Sequence, residues 1–202
     1  MAVVSVRANT PPFVPDNLLG QFAFYYPKIF KHYSTNLRKL FDRHSYLTHN
    51  FQNSIFPACT FNCSNTVTLE HTDDANYWAG ICPIHSGGNY NPKLGGHIVL
   101  FSLKLVIEFP PGSSMLVPSS ILPHGNTPIQ PGETRVSFTQ YCAGGLLRWV
   151  EYGFRTIKNC ALRKPKLKEK LDNGAETRCR KALNRFSKLS ELHNDRIKVF
   201  KL

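Results

Sequence analysis

Four residues of the sequence could together hold a metal ion and an organic acid: His71, Asp73, His124 and Arg135. His71 and Asp73 stand two positions apart at the end of a strand-like stretch, TVTLEHTD, so strand geometry directs both side chains to one face. His124 follows 53 residues later, directly before a Gly-Asn pair that predicts a turn. Two imidazoles and one carboxylate on one face are a typical ligand set of non-haem Fe(II), and they leave coordination positions open for a cosubstrate and oxygen. The pattern therefore predicts Fe(II) ligation by His71, Asp73 and His124.

Arg135 begins another strand-like stretch, RVSFTQY, eleven residues after His124. A guanidinium group can bind a carboxylate through paired, charge-assisted hydrogen bonds. We therefore expect Arg135 to hold the far carboxylate of 2-oxoglutarate, whose other end chelates the iron beside O2. An ion pair of Arg135 with Glu133 or Glu151 is the alternative, and Arg148 is a second candidate for the anchor.

Other residues near these stretches have both a functional and a structural interpretation. Asn76 could donate a hydrogen bond near the metal, or it could form a turn. His85 and His97 are expected to be structural or, at most, to line the cavity. The aromatic residues that could stack on an extruded base, or simply pack in the core, are Tyr77, Trp78 and Phe138.

The patterns that position these residues divide the chain into three segments. Residues 1–19 contain three prolines and lack helical periodicity, which predicts an extended or disordered lead. Up to residue 50, apolar residues recur in steps of three and four, which predicts helix that Pro27 starts or breaks. From residue 54 to 154, short β-rich stretches alternate with turn formers such as Ser-Gly-Gly-Asn, which is typical of an all-β sandwich or barrel. Residues 156–202 form a basic extension, helical over residues 175–192.

Positive charge is concentrated in the last segment. The formal net charge is +12, and residues 155–202 hold 15 of the 25 Lys and Arg but only 5 of the 13 Asp and Glu. Such a segment attracts polyanions such as DNA with a strong dependence on salt, although a solvated basic helix has the same composition.

Membrane and export signals are not found in the sequence. No apolar run approaches the roughly 18 to 20 residues of a membrane span, and MAVVSVRANTPP is not typical of a signal peptide. The six cysteines are therefore expected to be reduced thiols of an intracellular protein. Cys59 and Cys63 have a spacing loosely like half a zinc site, but no second pair answers them.

The ordered set of His-x-Asp, His and Arg resembles the iron- and 2-oxoglutarate-dependent dioxygenase superfamily, and GGHIV (95–99) resembles the turn and strand between its ligands. More narrowly, residues 20–155 resemble a group of proteins from mushroom-forming fungi related to the TET/JBP DNA-base oxygenases. The matching stretches are NFQNSIFPACTFN (50–62), EHTDDAN (70–76), NPKLGGHIVLFSLKLVIEFPPGSSMLVPSSILPHGN (91–126), IQPGETRVSFTQYCAGGLLRWVEYGFR (129–155) and, more weakly, ALNRFSKLSEL (182–192). Thr72 and Pro123 replace basic residues usual in that group, and neither change removes an expected ligand.

The resemblance implies a mainly β protein with a double-stranded β-helix (jelly-roll) core over residues 20–155, helices packed outside it, and a basic helical extension. It also implies oxidation of a methylated DNA base, 5-methylcytosine or N6-methyladenine, in a nuclear protein. A base must leave the duplex to reach such a metal, and the basic C-terminal segment could bind the DNA backbone meanwhile. Two alternatives are a hydroxylase of protein or small-molecule substrates and a catalytically inactive β-helix module that binds nucleic acid. The sequence leaves the base, the strandedness of the DNA and the oligomeric state open.

Overall fold

Two four-stranded sheets face each other in the computed structural model, which describes residues 2–5, 14–51 and 54–201. The strands are β1 (Ala2–Ser5), β2 (Ala58–Asn62), β3 (Cys82–Asn89), β4 (Ile98–Leu100), β5 (Leu105–Glu108), β6 (Ser114–Val117), β7 (His124–Asn126) and β8 (Thr134–Tyr141). One sheet has the order β1-β5-β4-β7 and the other β2-β8-β3-β6. Only the β1–β5 pair is parallel among these strands. The predicted jelly-roll core is confirmed.

An apolar core fills the space between the two sheets. Alternate residues of each strand point to the same face, and the inward positions carry apolar side chains. The buried residues of this inner core are Cys82, Ile84, Ile98, Leu100, Ile107, Phe109 and Val117. Each large aliphatic or aromatic member stabilises the fold by roughly 1.5 to 3 kcal/mol relative to an exposed position. The sheets are thus fixed close together at one end, and the cavity described below opens where the lining becomes polar.

Helices cover the outer side of the second sheet. They are α1 (Val14–Tyr25), α2 (Pro27–Arg43) and α3 (Gly144–Glu151). Pro27 occupies the start of α2, where its missing N–H costs no hydrogen bond, and buried residues follow in steps of three and four at Ile29, Tyr33, Leu37 and Leu40. Helix α1 begins five residues before the predicted end of the extended lead at residue 19, and residues 6–13 of that lead lie outside the described residues.

The C-terminal extension is helical, as predicted, but it is not a free tail. It contains α4 (Ile157–Arg163), α5 (Pro165–Asn173), α6 (Ala175–Leu183) and α7 (Leu192–Phe200). Helix α7 packs on α2: Lys28 Nζ lies 3.0 Å from Asp195 Oδ2, and the rings of Phe30 and Phe200 are 5.7 Å apart. The extension therefore belongs to the folded unit.

The single helix predicted for residues 175–192 is wrong. Helix α6 ends at Leu183, and a short 3-10 turn precedes α7. Leu183 and Leu189 are 52% and 89% exposed, while Phe186 packs against Tyr26. The prediction rested on apolar residues that recur in steps of three from Leu183 to Leu192. A strict step of three drifts around a helix of 3.6 residues per turn, so these residues could not share one buried face.

Two glycine-containing stretches predicted as turns lie inside strands. Residues 86–89, Ser-Gly-Gly-Asn, form the second half of β3, and Gly125 lies in the middle of β7. A Cβ on Gly88 would lie 2.2 Å from the carbonyl oxygen of Thr134, and one on Gly125 would lie 2.7 Å from that of Thr68. These glycines allow close approach of a neighbouring backbone, which explains why their turn propensity was misleading.

In the described residues, the seven α-helices hold more residues than the eight strands that form the β core. All six cysteines are free thiols. Across the ranges that the structure describes, no helix has both the length and the apolar character needed to cross a membrane.

Candidate metal centre

Backbone pairing places His71 beside His124. The N–H of His71 donates to the carbonyl of His124 at 3.1 Å, and the N–H of His124 donates back at 3.0 Å. Before this bridge, Thr68 pairs with Asn126 through one backbone bond of 3.0 Å and one side-chain bond of 2.9 Å. Residues 66–71 thus follow β7 without forming the regular strand that the sequence predicted.

Asp73 lies just beyond the bridge, in a turn. Its N–H donates to the carbonyl of Ser119 at 3.0 Å, and its own carbonyl accepts from the N–H of Asn76 at 2.9 Å and from the hydroxyl of Ser120 at 3.0 Å. The amide of Asn76 also donates to Asp73 Oδ2 at 3.1 Å. Both interpretations of Asn76 therefore hold, since it closes the turn and fixes the carboxylate. The other oxygen, Oδ1, lies 3.5 Å from His71 Nε2.

Carbonyl oxygens fix the tautomer of both histidines. His71 Nδ1 lies 2.9 Å from the carbonyl of Leu69, and His124 Nδ1 lies 3.0 Å from that of Leu122. Because a carbonyl can only accept, each Nδ1 carries the hydrogen and each Nε2 keeps its lone pair. This is the arrangement that orients imidazole ligands toward a metal.

The predicted ligands converge. One ligand atom from each of His71, Asp73 and His124 lies within 4.8 Å of the other two, and the imidazole ring centroids are 4.4 Å apart. At metal–ligand bond lengths of about 2.1 Å, small side-chain rotations bring all three onto one cation. Among the described residues, no other group of three His, Cys, Asp or Glu side chains comes together in this way.

The electrostatic environment favours the neutral, metal-binding form of His124. Burial lowers the pKa of His124 below the ordinary value, and the hydrogen bond to the Leu122 carbonyl opposes it; His71 lowers the pKa and Asp73 raises it by smaller amounts. His124 is 7% exposed, whereas the His71 side chain is 37% exposed. The centre therefore has one buried ligand and one at the opening toward solvent.

The three ligands and Arg135 line one cavity of about 390 Å³. Arg135 is only 5% exposed, its Nε has no hydrogen-bond partner, and no carboxylate of the described residues forms an ion pair with its guanidinium. The alternative pairing with Glu133 is not formed, because that carboxylate accepts the backbone N–H groups of Asn91 and Gln130. A buried cation without a counter-ion is costly, so this site favours an anion in the cavity.

The other candidates lie outside this cavity. Arg148 is exposed on α3 and lines a different pocket, as Glu151 does. His85 is hydrogen-bonded to Ser114 at 3.0 Å and His97 to Thr127 at 3.1 Å, in agreement with structural roles. Among the aromatic candidates, Phe138 packs on Phe51 and Phe61, Tyr77 accepts a hydrogen bond from Arg185, and Trp78 is partly exposed beside the cavity.

Strand β8 contributes cavity residues that the sequence analysis missed. Ser137, Thr139 and Tyr141 share the face of Arg135 and line the cavity with it. The alternation that starts at Arg135 was the signal that could have identified them. Asn65 was missed as well: its Oδ1 accepts the N–H of Arg135 at 2.7 Å, and its left-handed backbone (φ 58°) gave no sequence signal beyond an asparagine in a loop.

Fold and site together define a jelly-roll protein with a candidate centre of two histidines and one carboxylate. No protein-family model matches the sequence, and no curated protein matches it either. Among solved structures, NgTET1 in complex with 5mC DNA is 15% identical, with a TM-score of 0.43, over 63% of this chain. The match covers about half of the NgTET1 chain, 52%.

Two further solved structures have lower scores. The collagen prolyl hydroxylase of Paramecium bursaria Chlorella virus-1, in its 2OG complex, is 14% identical with a TM-score of 0.32, over 55% of this chain and 70% of its own. An RmlC-like cupin from Desulfovibrio desulfuricans is 16% identical with a TM-score of 0.28, over 47% of this chain and 95% of its own.

Proposed function

We propose that the protein is an Fe(II)- and 2-oxoglutarate-dependent dioxygenase. One observation carries the proposal: His71, Asp73 and His124 converge at a cavity that also holds a buried, unpaired arginine, Arg135. A metal centre or a buried cation alone has many explanations. Two nitrogen ligands, one oxygen ligand and a carboxylate-binding group in one cavity suit a metal and an organic acid that bind together.

The donor set fits Fe(II). Both Nε2 atoms keep a lone pair because the Leu69 and Leu122 carbonyls accept the Nδ1 hydrogens, and Asn76 holds Asp73 with one oxygen directed toward the histidines. When bound, Fe(II) and 2-oxoglutarate would supply oxidation of a C–H bond by O2, coupled to decarboxylation of the organic acid.

The chain's own residues would bind and orient the cosubstrate. The Arg135 guanidinium would hold the far carboxylate, with the Ser137 hydroxyl two residues along the same face of β8 as a further donor. Asn65 fixes the start of that strand through the Arg135 N–H, so the guanidinium is positioned by backbone contacts. The apolar residues Ile84 and Ile98 form the inner wall and exclude water there.

The substrate that we propose is a methylated base in DNA, in the nucleus. Two features support this: the sequence resemblance over residues 20–155 and the positive charge of residues 155–202. An enzyme that oxidises a base requires a positive surface for the phosphates and access for a single extruded base.

Anaerobic addition of Fe(II) and 2-oxoglutarate tests the centre. A weak visible charge-transfer band is expected in the wild type and should be abolished by His124→Ala. The matched control is His97→Ala, a half-buried histidine outside the cavity, which should retain the band. A wild type without the band would contradict the proposal.

Nucleoside mass spectrometry tests the substrate. DNA with 5-methylcytosine or N6-methyladenine, incubated with enzyme, Fe(II), 2-oxoglutarate and O2, should yield an oxidised base together with succinate. The control substrate is unmethylated DNA of the same sequence. If the charge-transfer band forms but neither methylated DNA yields an oxidised base, the oxygenase proposal stands and the proposed DNA substrate is overturned.

A further inference from the structure

Two pockets lie between the metal cavity and the surface of the C-terminal extension. Ala75 and Asn76 line both the metal cavity and a neighbouring pocket of about 540 Å³. Tyr77 and Trp78 line that pocket and a third one of about 360 Å³, which lies against α6. Because adjacent pockets share lining residues, the three lie side by side from the metal centre to α6, and we name the two outer pockets together the Trp78 groove.

The outer part of the Trp78 groove is positively charged. Its cations are Arg148, Arg178, Lys181 and Arg185, against two carboxylates, Asp74 and Glu151. None of the four takes part in an ion pair with another described residue, whereas the extension's Lys168, Arg180 and Lys188 do. Three cations of the extension and Arg148 of α3 thus line this groove without a carboxylate partner, so a string of anionic groups could be bound there.

A flat aromatic surface lies at the middle of the groove. The Trp78 side chain is 37% exposed and forms the wall shared by the two outer pockets. The neighbouring Tyr77, whose ring centroid lies 6.4 Å from that of Trp78, is fixed by a hydrogen bond of 2.9 Å from Arg185 to its hydroxyl. A partly exposed indole between cations is the combination by which proteins bind the bases and the phosphates of single strands.

We propose that the Trp78 groove binds a single nucleic-acid strand, with one base stacked on Trp78 and its phosphates on Arg148, Arg178 and Lys181. The inference deepens the proposed function and rests on it for one element only, the delivery of a neighbouring base to the metal centre. The exposed indole favours a strand whose unpaired bases can stack on it over a duplex, whose bases are enclosed, and over an acidic polypeptide, which has no bases.

Tryptophan fluorescence tests the stacking, with the protein free of metal and cosubstrate. The described chain has two tryptophans, and Trp149 donates its Nε1–H to His44 away from the groove. A short oligothymidylate should quench the wild type and Trp149→Phe but not Trp78→Phe. In anisotropy measurements, Trp78→Leu should weaken binding by about fivefold to a hundredfold. Equal quenching in Trp78→Phe would overturn the proposal.

Salt dependence tests the phosphate contacts. Removing Arg148 and Lys181 together by alanine should reduce the slope of log affinity against log salt by about 1.4, since each single-strand phosphate contact contributes about 0.7. Lys170→Ala is the control, an exposed lysine on α5 that lines none of the three pockets. If the control reduces the salt slope by the same amount per charge removed, the strand is attracted by the overall positive charge of the protein and not by contacts in the groove.

Competitors decide the kind of partner. Tighter binding of a hairpin duplex than of the single strand, or displacement by polyglutamate at equal charge, would overturn the proposal in favour of a duplex or an acidic polypeptide. Because these measurements need neither Fe(II) nor 2-oxoglutarate, their outcome is independent of the charge-transfer band. Quenching of Trp78 without a charge-transfer band would reject the oxygenase proposal and support strand binding in the groove. A charge-transfer band without quenching would support the oxygenase and reject strand binding in the groove.

Discussion

Replacing Arg135 with methionine should make the protein more stable without 2-oxoglutarate and unresponsive to it. Arg135 is 5% exposed, its buried Nε has no partner, and no described carboxylate forms an ion pair with it. An unpaired buried ion costs several kcal/mol in a dry interior, but this one borders a cavity of about 390 Å³ that admits water. We therefore expect a gain of about 1 to 3 kcal/mol in the free energy of unfolding. Methionine keeps a flexible, unbranched stem without the guanidinium and its charge.

Thermal unfolding with and without cosubstrate measures both effects. A gain of that size raises the Tm by roughly 2 to 4 °C per kcal/mol in a chain of this length. With Fe(II) under argon, 2-oxoglutarate at a hundred times its Kd should stabilise the wild type by about 2.7 kcal/mol, and the variant by much less. Arg148→Met is the control, because that residue is exposed outside the cavity. A variant less stable than the wild type without cosubstrate would refute the reasoning, since Arg135 would then have a structural partner.

Three further substitutions test the positioning of the centre and the packing around it. Asn76→Ala removes the hydrogen bond to Asp73 and should weaken metal binding by about tenfold to a hundredfold in calorimetric titration. Burial lowers the pKa of His32 to about 4. Since the unfolded state then binds the extra proton between pH 6.5 and 4, stability should fall as the pH falls through that window, by roughly 1 to 2 kcal/mol for a partly exposed ring. His32→Gln should flatten that part of the Tm profile. Gly88→Ala should destabilise the fold in urea titrations by roughly 2 kcal/mol or more, because its φ is +117° and the added Cβ would meet the Thr134 carbonyl.

The sequence was informative about the centre because its ligands are few and chemically distinctive. His71, Asp73, His124 and Arg135 could be selected by type and order, and the structure brings all four to one cavity. The reason given for Asp73 was incomplete, since a turn held by Ser119 and Ser120 directs its carboxylate, not the alternation of a strand. Such a turn depends on residues almost fifty positions away, which local patterns do not reveal.

Elsewhere the sequence failed where one backbone passes close to another. Gly88 and Gly125 were interpreted as turn residues, although their role is to let a neighbouring backbone approach closely. The exposed Trp78 could not be distinguished from a core residue, because its surroundings are formed by α3 and α6, far along the chain. Local propensity predicts helices and strands well, but it carries no information on how closely these elements pack.

The packing of α7 on α2 has a consequence for synthesis. Phe30 and Lys28 leave the ribosome well over a hundred residues before Phe200 and Asp195, their partners. During that interval the α2 surface that α7 later covers is exposed to chaperones, proteases and other nascent chains. Contacts of such long sequence separation also slow folding, because a long loop must close before they form. We expect ribosome-bound chains arrested before residue 192 to be sensitive to proteolysis near α2, and sensitivity to disappear once α7 has emerged.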